Sequence, residues 1–320
     1  MTFNNTSSLK KRFQILRNIR EYFWSKDYTE IDTPVIVDSP GMELHVDALS
    51  VKGENIKDKH LITSPEFALK KYLGAGYENI FQITKTFRDE PSHQYHSSEF
   101  TMLEWYATGM ELDEFIIFLR DFIIELAEKT NNSTIVPFDG KKIDLADEWQ
   151  VLSIPVLFQE MLQIQLTPDY SFELLAKDCK ELGLTVDKSD DWDDLFFKIF
   201  LTEIEPVVTK EKVTVFTNYP PTQAALASIN EQGWSGRFEL YVDDLELANA
   251  FYELTDSVEQ KRRFEEVMEK RRQIGKETYQ IDNELIEAVG KMPPTSGIAL
   301  GVDRLVMLLT GESSIAKILP

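Results

Sequence analysis

Residues 87–106 read FRDEPSHQYHSSEFTMLEWY, and this stretch decides the fold. From Glu99 to Tyr106 the side chains alternate as in a strand, where neighbours point to opposite faces. Phe100, Met102, Glu104 and Tyr106 then share one face, and Glu99, Thr101, Leu103 and Trp105 the other. An edge strand with its acids in water is the plain reading of Glu99 and Glu104. The residues just upstream favour another. Arg88, Asp89, Glu90 and His96 put both signs of charge beside an aromatic plate, a carboxylate and a phenol. Such a set can hold a flat ring at one end and a cation at the other.

Outward from this strand the periodicities alternate between strand and helix. Leu9, Phe13, Leu16, Ile19 and Phe23 fall near helical spacing over 9–25, and Thr33-Pro34 closes that unit. LITSPEFALKKYL, 61–73, predicts a strand and then a helix, with Ser64 as N-cap and Pro65 at the first helical position. NIFQIT, 79–84, is a further strand. ELDEFIIFLRDFIIELAEK, 111–129, is an amphipathic helix opening a mostly helical insert at about 111–212, whose clearest later helix is Asp191 to Glu205. VTVFTNYPP, 213–221, is a strand, and FELYVDDLELANAF, 238–251, is a hairpin turning at Asp243-Asp244. A charged helix follows over 257–275. SGIALGVDRLVMLLTG, 296–311, reads as a strand, then a helix from about Asp303 stopped by Gly311. The expectation is one α+β domain over 1–320, a mixed, mostly antiparallel sheet flanked by helices.

Composition narrows the function. Lys plus Arg number 34 against 55 Asp plus Glu, a net charge of −21. That weighs against a general nucleic-acid binder, which needs a basic face, and suits a cationic ligand, a basic protein partner or simple solvation. Cys179 is the single cysteine, so no intrachain disulfide or cysteine metal cluster forms, and an inert thiol is expected. With no apolar run of about 18 residues and no apolar stretch near the N-terminus, a cytoplasmic protein without membrane contact is expected.

Charge also interrupts the folding pattern in the hairpin and in the last strand and helix. With a two-residue turn, 242 pairs with 245, 241 with 246, 240 with 247 and 239 with 248. Glu239 and Glu246 become diagonal neighbours on one face. They are either exposed acids or a pair holding a hard cation such as Mg²⁺ shared with a nucleotide phosphate. Asn249 and Glu253 have the opposite parity to Glu246, so a bulge is required if all face one site. In GIALGVDR, Gly297 and Gly301 permit close backbone approach, and Arg304 in the first helical turn opposes the helix dipole unless an anion or a carboxylate meets it. No GK[ST] follows, so these features describe an ATP site without a P-loop.

In this order, the Thr33-Pro34 step, FRDE…H..EFTMLEWY, ELANAFYELTD and GIALGVDRLVML resemble the catalytic domain of class II lysyl-tRNA synthetases. They resemble more closely the elongation factor P (R)-β-lysine ligase family. The similarity runs from about residue 9 to 319. The first helix starts near residue 9, without room for the synthetases' anticodon-binding domain, and Ala299 stands in ALGVDR where synthetases resemble GxGxDR. The resemblance implies a homodimer that uses ATP and Mg²⁺ to activate lysine or (R)-β-lysine as an aminoacyl-adenylate. It then passes the acyl group to a lysine side chain of elongation factor P, with no tRNA.

By the same resemblance, Arg88 bridges the substrate carboxylate and the α-phosphate, and Phe100 and Arg304 sandwich adenine, whose amino group donates to Glu90. His96 meets the terminal phosphates, and Glu239 and Glu246 hold Mg²⁺. Asp89, Ser97, Leu247 and Gly301 join the nucleotide site. Ser64, Pro65 and Glu66 form the SPE substrate motif. Glu104, Tyr106 and Glu253 receive the substrate ammonium groups, Asn249 binds the carboxylate, and Ala299 shapes the pocket. HSSEF departs from the family's HNPEF at Ser97 and Ser98, and Gln94 stands where an arginine is common. Two other readings stay open: a stand-alone lysyl-adenylate former serving tRNA or another amine, and a non-catalytic regulatory subunit. The second predicts lost catalytic charges, yet Arg88, Glu239, Glu246 and Arg304 are present.

Overall fold

The structure, a computed structural model, describes residues 6–319. Its described residues form two compact units, one of those up to 146 and from 252 onward, the other of 147–251. In chain order the elements of the first unit begin with α1 (Thr6–Ser25), β1 (Thr29–Glu30), β2 (Ile36–Val37), β3 (Ser50–Gly53), β4 (Ile56–Leu61), α2 (Glu66–Gly74), β5 (Asn79–Phe87), β6 (Glu99–Thr108), α3 (Leu112–Asn131), β7 (Ile135–Phe138) and β8 (Lys141–Asp144). The second unit holds β9 (Gln150–Ser153), α4 (Ile154–Leu162), α5 (Phe172–Glu181), α6 (Trp192–Ile199), α7 (Glu205–Val208), β10 (Val213–Tyr219), β11 (Ser235–Val242) and β12 (Leu245–Tyr252). The chain returns to the first unit with α8 (Ser257–Gln273), α9 (Asn283–Val289), β13 (Thr295–Gly301) and α10 (Val302–Thr310).

In the first unit β5 pairs antiparallel with β6, β6 antiparallel with β13, and β1 parallel with β5. β6 is therefore an interior strand and not a solvated edge. Its Thr101–Leu103–Trp105 face supports the core: Trp105 is fully buried among Phe23, Phe115, Phe118 and Phe122 of α1 and α3. Burying aromatics of this size contributes about 2–3 kcal/mol each. The other face is also closed to solvent, yet carries Glu104 and Tyr106, both about as buried as the apolar core. A buried carboxylate costs free energy unless it is partnered, so this face needs a polar explanation.

The second unit has an antiparallel run β12–β11–β10 with β9 parallel to β10. Its core stacks Phe158 on Phe196 and Phe196 on Phe200, with Phe216, Tyr219 and Tyr241 beside them. Cys179 lies inside this core, 3.6 Å from the Leu195 carbonyl, and burial raises its thiol pKa. It is the inert thiol expected.

Several local expectations are met with boundary shifts. Gly311 ends α10 in the left-handed conformation at φ 69°. The stretch read as one helix from Asp191 is α6, a π-turn over Phe200–Ile204 and then α7. The segment over 111–212 also contains strands, since β7 and β8 form a hairpin turning at Asp139 and Gly140, both with positive φ.

Candidate functional site

The first unit brings together Ser64, Glu66, Glu104, Tyr106 and Glu253, with Lys70 among them. The Ser64 hydroxyl accepts the Glu66 backbone N–H at 3.0 Å and donates to Glu104 Oε2 at 2.7 Å. It thus serves the start of α2 and the pocket together, while Pro65, at φ −78°, is the residue that flanks the helix. The Tyr106 hydroxyl donates to Glu104 Oε1 at 2.6 Å. Lys70, one turn beyond Glu66, places Nζ 2.6 Å from Glu66 Oε1 and 2.6 Å from Glu253 Oε2, with only 1% of its side chain exposed. Burial, then the Glu66 charge, pushes the Glu104 pKa up to about 8. Burial pushes Glu253 up to about 7, against the pull of Lys70.

β13 closes this pocket from the side of the last motif. Gly297 pairs with Tyr106 and Ala299 with Glu104, and cross-strand partners share a face. A Cβ on Gly297 would lie 2.3 Å from Glu253 Oε1 and 2.4 Å from Tyr106 Cε1, so only glycine fits. Gly301 starts α10, and the nearest atoms to a Cβ there would be those of the Arg304 side chain, at 3.6 Å or more.

The nucleotide-type residues lie at the β5–β6 end of the same unit. The Arg88 guanidinium sits 5.3 Å from the Phe100 ring centre, a cation–π contact. Arg88 N donates to Ser98 O and Asp89 N to Asp47 O, and the Ser98 hydroxyl donates to Glu90 O, which tie down the loop. Ser97 is half-buried within it. Arg304 Nη2 donates to His96 Nε2 at 2.9 Å, and His96 Nδ1 lies 3.6 Å from Glu90 Oε2. A guanidinium only donates, so Nε2 must accept and the imidazole is neutral. Burial, Arg304 and His93 all lower its pKa, in agreement. The carboxylate next to Arg304 in sequence, Asp303, pairs instead with buried Arg12 and accepts Thr101 N at 2.7 Å. That pair fixes α10 to α1 and β6.

The acid pair lies in the second unit. Val242 pairs with Leu245 and Tyr241 with Glu246, as expected, but Leu240 pairs with Ala248 and Glu239 with Asn249. The expected pairings 240 with 247 and 239 with 248 are thus corrected by one residue. The cause is a bulge at Leu247, which gives the extra residue that the parity of Asn249 required. Glu239, Tyr241, Glu246 and Asn249 consequently share a face. Glu239 accepts from Arg237, from Tyr219 OH at 2.6 Å and from Tyr241 OH at 3.2 Å. Arg237 Nε donates to Asn249 Oδ1 at 3.0 Å and its guanidinium lies 4.6 Å from the Tyr219 ring centre. Burial, then Glu239, Glu246 and Asp244, pushes the Glu205 pKa up to about 7.

Among the described residues no group of three or more His, Cys, Asp or Glu side chains forms a complete metal cage. Glu239 and Glu246 share a face, but both oxygens of Glu239 already accept, Oε1 from Arg237 and Oε2 from Tyr219 and Tyr241.

Lys70, Arg237, Tyr219 and Glu43 are absent from the residues expected from sequence. Burial raises the pKa of Glu43, whose charge also feels Arg88 and Glu66. Arg271, fully buried, donates to the carbonyls of Glu43, Leu44 and Val46 and to Asp47, and so holds the loop carrying Glu43. The Glu66–Lys70 spacing of four was the one local hint. Such pairs are ordinarily solvated, and only burial marks this one.

The family model for class II tRNA synthetases (D, K and N) matches residues 2–320. The elongation factor P--(R)-beta-lysine ligase of Pseudoalteromonas translucida (strain TAC 125) is 35% identical over 322 residues, covering 98% of this chain and 94% of that protein. The ligase of the same name from Pasteurella multocida (strain Pm70) is 34% identical over 320 residues, and that from Salmonella arizonae is 33% identical over 324, with the same coverage. By matched length, and by the three motifs whose geometry is given above, the chain belongs to the class II tRNA synthetase family of the D, K and N type.

Proposed function

We propose that this chain is an ATP-dependent, AMP-forming ligase. It activates lysine or (R)-β-lysine as an aminoacyl-adenylate and transfers the acyl group to a lysine side chain of elongation factor P. The observation that carries the reading is the buried pair Glu104 and Glu253, with the half-buried Glu66 beside them and one internal cation, Lys70. A neutral side chain would leave those acids unbalanced in the interior, whereas a substrate with two ammonium groups offsets them. The names of the relatives support the acceptor and the β-amino acid.

The steps follow from the residues. Glu104, Tyr106, Glu253 and Glu66 bind the ammonium groups, with Ser64 and Pro65 shaping the entry to α2 and Ala299 beside Glu104. Asn249 binds the substrate carboxylate. Arg88 neutralises charge as that carboxylate attacks the α-phosphate, an in-line displacement that forms the acyl–phosphate bond and releases pyrophosphate. Phe100 and Arg304 hold adenine, which requires Arg88 to leave the ring it now covers. Glu90 accepts from the adenine amino group, and Asp89, Ser97, Leu247 and Gly301 complete the nucleotide site. Neutral His96, with Nε2 accepting from Arg304, donates its Nδ1–H to the terminal phosphates. Glu239 and Glu246 would be the residues to hold Mg²⁺, whose chemistry there would be charge neutralisation at the phosphates. In the second step the acceptor amine attacks the acyl carbon, an amide forms and AMP leaves.

No helix among the described residues is long and apolar enough to cross a membrane. A cytoplasmic homodimer that needs no tRNA completes the proposal. The test incubates the protein with ATP, labelled lysine or (R)-β-lysine, and either elongation factor P or tRNA. Label in the protein acceptor is expected. Label in tRNA and none in the protein would overturn the assignment.

A further inference from the structure

We propose that Lys70 is a positioning residue that fixes the pocket at the charge which a two-ammonium amino acid neutralises; this rests on the functional reading above. Its ammonium holds Glu66 by Oε1 and Glu253 by Oε2, each at 2.6 Å. The other Glu253 oxygen is thereby set over Gly297, where the Tyr106 ring edge also lies. Glu104 is held separately, by Ser64 and Tyr106. Three carboxylates and one ammonium leave a formal charge of minus two. Two incoming ammonium groups cancel it and a single one does not.

The groups around Lys70 set its protonation and theirs. α2 contributes Glu66, β6 contributes Glu104 and Tyr106, and Glu253 follows β12. Further out, Glu43 feels the charges of Arg88 and Glu66, and Glu66 in turn acts on Glu104, Tyr106 and Glu253. Burial works to lower the Lys70 pKa, but Glu253 and Glu66 raise it well above the ordinary lysine value, so it stays an ammonium. With Glu104 at about 8 and Glu253 at about 7, the empty pocket retains protons near neutrality. Substrate entry therefore expels protons, and affinity rises with pH through this range. Without the Lys70 cation the acids take up about one further proton, which the substrate must also expel.

The test is a calorimetric titration with lysine from about pH 6 to about pH 8.5, on wild type, Lys70→Met, Lys70→Arg and the double variant Glu66→Gln/Lys70→Met. In Lys70→Met, affinity at the acid end falls at least about tenfold and log affinity rises more steeply with pH, by about one. Lys70→Arg keeps the wild-type slope. The double variant removes an acid with the base and also keeps that slope, whatever its absolute affinity. It carries the test alone if Lys70→Met does not fold. An unchanged slope in Lys70→Met, a steeper slope in the double variant, or an equal pH-independent loss in all three overturns the proposal. Wild type that binds lysine yet catalyses no lysine-dependent pyrophosphate exchange sinks the functional reading and not this one. Wild type that binds no diamino acid sinks both.

Discussion

Replacing Gly297 with alanine tests the pocket by adding one carbon. The new Cβ would fall 2.3 Å from Glu253 Oε1 and 2.4 Å from Tyr106 Cε1, where ordinary contact begins near 3.4 Å. Glu253 or Tyr106 must therefore shift by about 1 Å, and neither is a loose surface end. Glu253 is held by Lys70, and Tyr106 by Glu104. The backbone itself imposes no penalty, because Gly297 is not among the positive-φ glycines. Overpacking of this kind costs about 1–3 kcal/mol, a melting-temperature loss of about 2–4 °C per kcal/mol. A displacement of about 1 Å in a binding group costs about 100-fold in catalytic efficiency. In lysine-dependent pyrophosphate exchange, Gly297→Ala should raise KM for the amino acid by about that factor while KM for ATP stays near wild type. A folded variant with an unchanged amino-acid KM, or with both KM values raised equally, would refute the placement of Glu253 and Tyr106 at the ammonium end.

Three other perturbations separate the parts of the account. Arg12→Met leaves Asp303 buried without its cation and should cost about 3–5 kcal/mol in denaturant unfolding; an unchanged midpoint would contradict the anchoring of α10. Phe100→Ala should raise KM for ATP about 5- to 150-fold, the loss of one base-stacking surface, with lysine binding by calorimetry unaffected. An equal loss of lysine affinity would contradict it. The free protein should lose thermal stability as pH rises from about 6.5 to about 8.5. Glu104 and Glu253 have folded pKa values of about 8 and about 7, above the ordinary 4.5. The stability from holding them protonated is full below the ordinary value and vanishes as pH climbs through the folded values. The depressed His96 acts in the opposite sense at lower pH, hence the choice of window. Saturating lysine should flatten the slope in scanning calorimetry, and a melting temperature rising across the window would contradict the assignment.

The elements that the sequence made legible are those with strong local signals. Alternation over Glu99–Tyr106 identifies β6, and parity called for a bulge if Glu246 and Asn249 share a face, though not for its place at Leu247. Gly311 and Ser64 mark helix ends through chemistry that is local to the turn. The Asp139-Gly140 hairpin carried such a signal as well, yet it fell inside the segment expected to be mostly helical. What stayed hidden depends on contacts between distant residues. Nothing near Arg12 announces Asp303, nor anything near Arg271 the carbonyls of Glu43 and Val46. The same holds at the candidate site. The ionisable groups stood out because they break a strand or helix pattern, while Lys70, in a common surface spacing, did not. Its burial is a tertiary fact, and it changes the charge count of the pocket.

The central claim is that the buried acids of the first unit select an amino acid with two ammonium groups for activation by ATP. Pyrophosphate exchange measured across a panel of amino acids tests it directly. The account predicts exchange with lysine or (R)-β-lysine and none with norleucine, glutamate or phenylalanine. Exchange driven by norleucine as well as by lysine, or by no diamino acid at all, would contradict it.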